Sequence, residues 1–241
     1  MAIRGILFDK DDTLTDLYTF WRKPTRMMVD YMLKRCGGEA DEELRRRLLL
    51  TIGLDPEHDA FIPGSPAVAG TNLSAAQACC RLIAQSGLPV DADLAESSSR
   101  YLEGACISDG EIVGTADFGV LCPMLVSRGY KLGLATSDNY ESALHCLKGL
   151  GIDKYFGMIL AADRVSRAKP DPETAVRFCD EYGFKPEDVV MVGDSENDMI
   201  FAERSGLIGI FFSRKKGEAI PASVKHIITD MNELPKLLER L

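Results

Sequence analysis

Short apolar runs separated by helical patterns set the strongest limit on how this chain can fold. They are "IRGILF" (3–8), "KLGLA" (131–135), "GMILAA" (157–162), "DVVMV" (188–192) and "LIGIFF" (207–212), with "HIIT" (226–229) a weaker sixth. Continuous apolar runs of this length fit strands buried on both faces. Helical patterns at roughly 139–150, 172–183, 196–205 and 231–241 alternate with them. Strands alternating with helices predict an α/β fold around a parallel sheet. One interval breaks the rhythm. From Leu17 to about Gly114 there is no strand pattern, only helical pattern at roughly 24–36, 41–53, 74–87 and 91–105. A strand–helix–strand crossover needs about 30 residues, so this interval reads as an inserted helical module. The expected division is residues 1–16 and 115–241 as the α/β core and 17–114 as an α-helical domain. Within the insertion, "FIPGSPAVAGTNLS" (61–74) reads as a long loop.

Composition narrows the function classes. Of 241 residues 46% are hydrophobic, enough for a sizeable core. The formal charge of −9 argues against nucleic acid or an anionic membrane as partner, since phosphate backbones need clustered Lys and Arg. The Arg45-Arg46-Arg47 run reads as a solvated helix face. No stretch is apolar enough over a sufficient length to span a bilayer. Seven cysteines without a C-x-x-C pair suggest reduced, mostly buried thiols, hence a soluble cytoplasmic protein; a monomer or homodimer is expected. Three histidines, none beside a strand end, give no support to a zinc site, and no G-x-x-x-x-G-K or G-x-G-x-x-G loop is present.

Ligands of an open parallel sheet bind beyond the carboxyl ends of its strands, so the residues that close each run carry the most functional weight. The first run ends in Asp9-Lys10-Asp11, the second in Thr136-Ser137-Asp138 and the fourth in Gly193-Asp194. Strand alternation places Asp9 and Asp11 on one side with Lys10 pointing away. Two such carboxylates, joined by Asp194 from a neighbouring strand, are hard oxygen ligands suited to Mg2+. The cation would lower their repulsion and leave one acid free to attack as a covalent nucleophile. These residues alone do not say which acid that is, and Asp11, Asp12 and Asp16 are also good turn and cap residues.

Three further motifs lie at the same rim. "ATSDNYES" (135–142) reads as a helix start, with Asp138 as N-cap and Glu141 as its box partner. Thr136 and the first N–H groups of that helix would receive an anion. In "RAKPDPE" (167–173), Pro170 restrains Lys169 to extended backbone while Asp171 and Pro172 start the next helix, a stiff placement for meeting a phosphate. "GDSENDM" (193–199) fits a capping box from Ser195 to Asp198. Asp198 then lies one turn past Asp194, placed to orient Lys169 or metal-bound water.

Taken in order, D-x-D-x-T-L, a strand ending in Thr, Lys-Pro-Asp-Pro and Gly-Asp-x-x-x-Asp resemble the haloacid dehalogenase superfamily. The resemblance spans residues 8 to 199 and implies a Rossmann-like core with an α-helical cap inserted after the first motif, as in phosphoglycolate phosphatase-like members. It implies Asp9 as nucleophile forming an aspartyl-phosphate, and Asp11 as the acid that protonates the leaving oxygen and then activates water. It implies phosphate binding by Thr136, Ser137 and Lys169, and Mg2+ held by Asp9, the Asp11 backbone carbonyl and Asp194, with Asp198 behind them. Asp12 stands where many relatives have Gly. The implied activity is hydrolysis of a small phosphorylated metabolite, or phosphomutase chemistry on a sugar phosphate. Arg22 and Lys23 are candidate contacts for the leaving group. A phospho-receiver signalling module also uses acids, Thr and Lys on an α/β sheet, but the helical insertion and the "GDSENDM" segment argue against it.

Overall fold

The computed structural model describes residues 2–62, 65–66, 71–109, 111–214, 220 and 224–241. Its chain divides into two compact units, Met1–Asp16 with Ile112–Leu241, and Leu17–Glu111. The first unit is built on six parallel strands: β1 (Gly5–Phe8), β2 (Lys131–Ala135), β3 (Phe156–Leu160), β4 (Val189–Gly193), β5 (Ile208–Phe212) and β6 (His226–Ile228). Their spatial order is β3-β2-β1-β4-β5-β6. The first strand is therefore central, and Phe8 lies level with Leu134 on one side and Val192 on the other. The chain winds outward from β1 in both directions, so the strand order reverses there, and a crevice at the carboxyl end of β1 follows from the topology.

The second unit carries α1 (Leu17–Cys36), α2 (Glu42–Ile52), α3 (Asn72–Gln85) and α4 (Leu94–Asp109). The sequence pattern places the first of these at roughly 24–36; instead the helix starts at Leu17 and Pro24 is buried inside it. A second difference is a two-stranded hairpin, Leu54–Asp55 against Ala60–Phe61, in the interval expected to hold no strand. Two residues per strand are too few for an alternating pattern to register. The Asp55 carboxylate closes the hairpin turn by accepting from the Glu57 and His58 amides. Arg35 ties α1 to the start of α4 through Asp91, Asp93 and Ser97, at 2.7, 3.1 and 2.9 Å. Arg45 pairs with Asp30 and Glu42, and Arg46 with Glu43, so both arginines belong to ion pairs within the unit. Residues 63–64 and 67–70 of the expected loop lie outside the described residues, and α3 begins soon after it behind a Thr71–Ser74 capping box.

Chain return to the sheet begins at Ile112, earlier than residue 115, because Val113 and Gly114 pair with the backbone of Thr15 and Asp16. The sheet is then covered by α5 (Phe118–Ser127), α6 (Tyr140–Gly149), α7 (Glu173–Tyr182), α8 (Glu196–Ser205) and the short α9 (Leu234–Leu238). Strand alternation sorts the core into two layers. Ile6, Phe8, Leu134, Val190 and Val192 pack with Phe118, Leu121 and Leu147. Leu7, Val189 and Met191 pack on the other face with Phe178 and Phe201.

Phe178 of α7 lies against Gly133 in the middle of β2, where a glycine weakens strand propensity. A Cβ there would meet Phe178 Cε2 at 2.6 Å, Phe178 Cδ2 at 2.8 Å and Leu7 Cδ2 at 2.9 Å. All three atoms belong to closely packed buried side chains, so overpacking outweighs the backbone entropy that alanine would save. Gly133→Ala is expected to destabilise the protein by about 1–3 kcal/mol, seen as a lower urea midpoint at unchanged m-value; a midpoint equal to or above wild type would contradict this packing.

Candidate active site

The ladder of β1 extends one residue past the strand, where the Asp9 amide donates to the Val192 carbonyl at 2.9 Å. The chain then turns sharply. The amides of Leu14 and Thr15 both donate to the Lys10 carbonyl, at 2.9 and 3.0 Å, and Asp12 takes a left-handed φ of 56°. Asp tolerates that region better than most residues, which accounts for a position where glycine would also serve. The strand ends before this turn, and Lys10, expected to point away from both acids, pairs with Asp11. Lys10 is 2% exposed, and its ammonium lies 2.6 Å from Asp11 Oδ1 and 3.0 Å from Asp138 Oδ2. Arg214, just past β5, reaches Asp16 at 3.0 Å and Asp12 at 3.4 Å.

Asp9 meets a different cation. Lys169 Nζ lies 2.6 Å from Asp9 Oδ1 and 2.6 Å from Asp198 Oδ1, with all three groups buried. Local structure positions both partners. Lys169 precedes a cis peptide to Pro170, and the Asp171 carboxylate accepts from the Glu173 amide where α7 begins. Asp198 occupies the third position of α8, and its Oδ2 accepts from the Ser195 amide and hydroxyl in a capping box. Gly193 makes room for that carboxylate, since a Cβ there would fall 2.4 Å from Asp198 Cγ. The capping and functional readings of "GDSENDM" are thus one arrangement, with one carboxylate oxygen serving each.

Carboxylate oxygens of Asp9, Asp194 and Asp198 lie within 4.8 Å of one another. Thr13 Oγ1 is 3.5 Å from Asp194 Oδ1. Burial is the main reason the Asp9 carboxyl is pushed up to about 7; Lys169 opposes the rise, and Asp198 and Asp11 add to it. Asp194 is pushed up to about 8 by burial and by the charges of Asp9, Asp198 and Asp12. Burial works against the Lys169 ammonium, yet Asp9 and Asp198 hold its pKa above the ordinary value. Lys10 is treated alike, with burial outweighed by Asp11 and other neighbours including Asp138. A crowded set of hard oxygen donors that resist ionising together fits a small divalent cation, whose charge would favour their ionised forms.

Across residues 3–206 the sequence matches the haloacid dehalogenase-like hydrolase family. The chain belongs to that family. Among curated relatives, it is 32% identical to the phosphoglycolate phosphatase of Salmonella typhimurium over 152 residues, covering 59% of this chain and 60% of that protein. It is 35% identical to the pyrophosphatase PpaX of Halalkalibacterium halodurans over 83 residues, covering 34% and 39%. The chain spans about half the length of the curated relatives it matches. Among solved structures, a subfamily IA, variant 1 hydrolase from Geobacter sulfurreducens superposes with a TM-score of 0.66 at 19% identity, covering 98% of this chain and 96% of that one. CbbY from Rhodobacter sphaeroides, in complex with phosphate, gives 0.58 at 21% identity and 96% of each chain. At these identities the likeness concerns the fold.

The remaining expected residues are distributed as follows in this haloacid dehalogenase-like hydrolase. Thr136 is buried at the end of β2; its hydroxyl oxygen accepts from the Asp138 amide at 3.1 Å, leaving the O–H to donate. Ser137 is exposed beside it. Asp138 is not the N-cap of α6. Asn139 holds that place, accepting from the Ser142 amide at 2.9 Å, and Asp138 turns to Lys10. Arg22 lies in the helical unit, paired with Asp59 at 3.0 Å and with Thr19, and Lys23 is exposed on the same helix. Lys10 is the residue of this rim that strand alternation misjudged, because nothing in the local sequence announces that the strand stops before it. Six cysteines are free, five of them buried, and burial raises the Cys79 thiol to about 12 and Cys146 to about 11. The side chain of Cys106 lies outside the described residues. Among the described residues no helix is long and apolar enough to cross a membrane.

Raised folded-state pKa values for Asp9 and Asp194 mean that the folded chain binds more protons than the unfolded chain from about pH 4 to about pH 8. Without a cation, the stability these two groups contribute is present at low pH and lost as pH rises through that window. A divalent cation on the carboxylates removes the loss. The gain in Tm on adding MgCl2, read by calorimetry, is therefore expected to be larger near about pH 8 than near about pH 5; equal gains at both would argue against a cation held by these acids.

Proposed function

We propose that the protein is a Mg2+-dependent phosphatase that hydrolyses a small phosphorylated metabolite through an aspartyl-phosphate. The observation that carries this reading is the contact of buried Lys169 with Asp9 and Asp198 beside Asp194. A carboxylate is a competent covalent nucleophile for phosphoryl transfer. Phosphoryl transfer otherwise demands positioning and neutralisation of oxygen charge. Lys10, Lys169 and Arg214 each pair with two acids of this rim, and Asp194 stands beside Asp9 and Asp198. An anionic phosphate approaching so many acids is favoured by further positive charge, which Mg2+ supplies. Asp198 has Oδ1 on Lys169 and Oδ2 on Ser195, so the side-chain ligands of the ion are proposed to be Asp9 and Asp194, joined by the Asp11 carbonyl.

Asp9 attacks phosphorus as the ester bond to the leaving oxygen breaks, and Asp11 gives that oxygen its proton. Asp11 then takes a proton from water as the water oxygen attacks the phosphoryl group, which releases phosphate and restores Asp9. Lys169 and the Thr136 hydroxyl hold the phosphoryl oxygens, with Ser137 beside them. Asp198 keeps Lys169 in place. Named activities of the curated relatives favour a compact anionic substrate of the phosphoglycolate kind.

Release of phosphate from p-nitrophenyl phosphate and 2-phosphoglycolate in MgCl2 tests the reading. Wild type is expected to turn over, with loss of at least about a thousandfold in Asp9→Asn and complete loss in EDTA. Activity undiminished in Asp9→Asn would overturn the mechanism. Stimulation by a sugar bisphosphate without net phosphate release would replace hydrolysis by phosphomutase chemistry.

A further inference from the structure

Lys10 is one of the most deeply buried charges in the protein, yet none of the steps above uses it. Its ammonium bridges Asp11 Oδ1 and Asp138 Oδ2, which come from two different rim segments. Asp11 belongs to the turn after β1, and Asp138 to the loop after β2. The Asp138 end is fixed by its own bonds. Its amide donates to Thr136 Oγ1 at 3.1 Å, its carbonyl accepts from the Ala162 amide at 2.9 Å, and its Oδ1 accepts from the Asn139 amide at 2.7 Å. The Asp11 end lacks comparable fixing by a regular element. The Asp11 side chain is a third exposed and sits in a turn that has left the sheet. A continuous path of hydrogen bonds therefore runs from Asp11 through Lys10 and Asp138 to Thr136.

We propose that Lys10 is a positioning residue that fixes the Asp11 carboxylate relative to the Thr136 loop, and so aligns proton transfer with the bound phosphoryl group. This rests on the phosphatase reading, in which Asp11 handles the proton and Thr136 the phosphate. The physical case is one of fit and cost. A buried ammonium is costly to keep unless its partners are close, and here both lie within 3.0 Å. A buried lysine can give up to three hydrogen bonds in fixed directions, so the carboxylate it holds loses rotational freedom before substrate arrives. A methionine would fill the space of the stem but offer no donor.

Lys10→Met separates this role from a merely structural one by leaving-group dependence. p-Nitrophenolate leaves with little need of a proton, whereas an alkoxide such as that of glycerol 2-phosphate needs one. Hydrolysis of the aspartyl-phosphate also uses Asp11 and is common to both substrates, so the comparison is made on kcat/KM, which reports the step that expels the leaving group. Misplacing Asp11 is expected to lower kcat/KM on glycerol 2-phosphate by about tenfold more than on p-nitrophenyl phosphate. Equal loss of kcat/KM on the two substrates, or no loss on either, overturns the proposal. Asp138→Asn keeps the loop but weakens the anchor, and is expected to move the same ratio in the same direction by a smaller factor. This second variant carries the test should Lys10→Met fail to fold. A crystal structure of either variant gives a readout independent of turnover: Asp11 is expected to shift or become disordered relative to Thr136, and an unmoved, ordered Asp11 overturns the proposal. Absence of phosphate release by wild type on every substrate is instead the failure of the phosphatase reading, and leaves the crystallographic outcome to decide the positioning.

Discussion

A single buried ammonium, that of Lys169, holds the rim of the sheet together. Asp9 follows the end of β1 and Asp198 lies in the first turn of α8, and both are nearly removed from water. Like charges so placed repel strongly in a medium that screens less than bulk solvent. Lys169 lies 2.6 Å from each and turns a repulsive pair into a bridged one. Everything that positions Lys169 is ordinary local structure. The Asp171 carboxylate organises the start of α7, Ser195 and Asp198 cap α8, and Gly193 leaves the space in which Asp198 sits. The site is thus assembled from helix starts facing one another across the end of β1 and β4.

Charge pairing recurs around that centre on a common plan. Lys10 bridges Asp11 and Asp138, and Arg214 bridges Asp12 and Asp16, as Lys169 bridges Asp9 and Asp198. Each cation joins acids that the fold brings together, so each both lowers repulsion and fixes backbone segments to one another. Asp9 and Asp194 are the carboxyls of this rim that burial pushes up most clearly, to about 7 and about 8.

How much of this was legible beforehand varies with the length over which a pattern is repeated. The strands of the sheet show as apolar runs because both faces are buried, and Ile6, Leu7 and Phe8 are all fully covered. Helix α5 was not legible. Its core-facing Phe118, Leu121, Cys122 and Leu125 do follow helical spacing, but Val120 and Val126 are exposed, so apolar residues surround the helix and hide its period. The hairpin at 54–61 is too short for any periodic signal, and Pro24, a residue favoured in a first turn and disfavoured in a helix interior, obscures the helix that runs through it. Among candidate site residues, Asp9, Thr136, Asp194 and Asp198 stood out because each closes a strand or opens a helix, and Lys169 because prolines follow it just ahead of a helix. Lys10 was expected to point away from Asp11, and Asp138 to cap the helix that Asn139 caps, since strand alternation and capping rules do not locate the turn or the exact first residue of a helix.

The amino-acid order by itself determined the α/β class, the insertion after the first strand and the set of acids, Thr and Lys at the strand ends, because these depend on local periodicity and on residue chemistry. Only the tertiary structure decided which cation meets which acid. Lys10 is the immediate neighbour of Asp9 in the sequence, yet it takes the Asp11–Asp138 pair, while Lys169, 160 residues from Asp9, takes Asp9. That choice follows from the turn after Asp9, which sends successive side chains to different partners, and from the order of strands, which brings β4 and its helix to the side of β1. Pairing of charges in a folded chain is settled by where the backbone turns and which strands are neighbours, and neither is a property of the residues taken one after another.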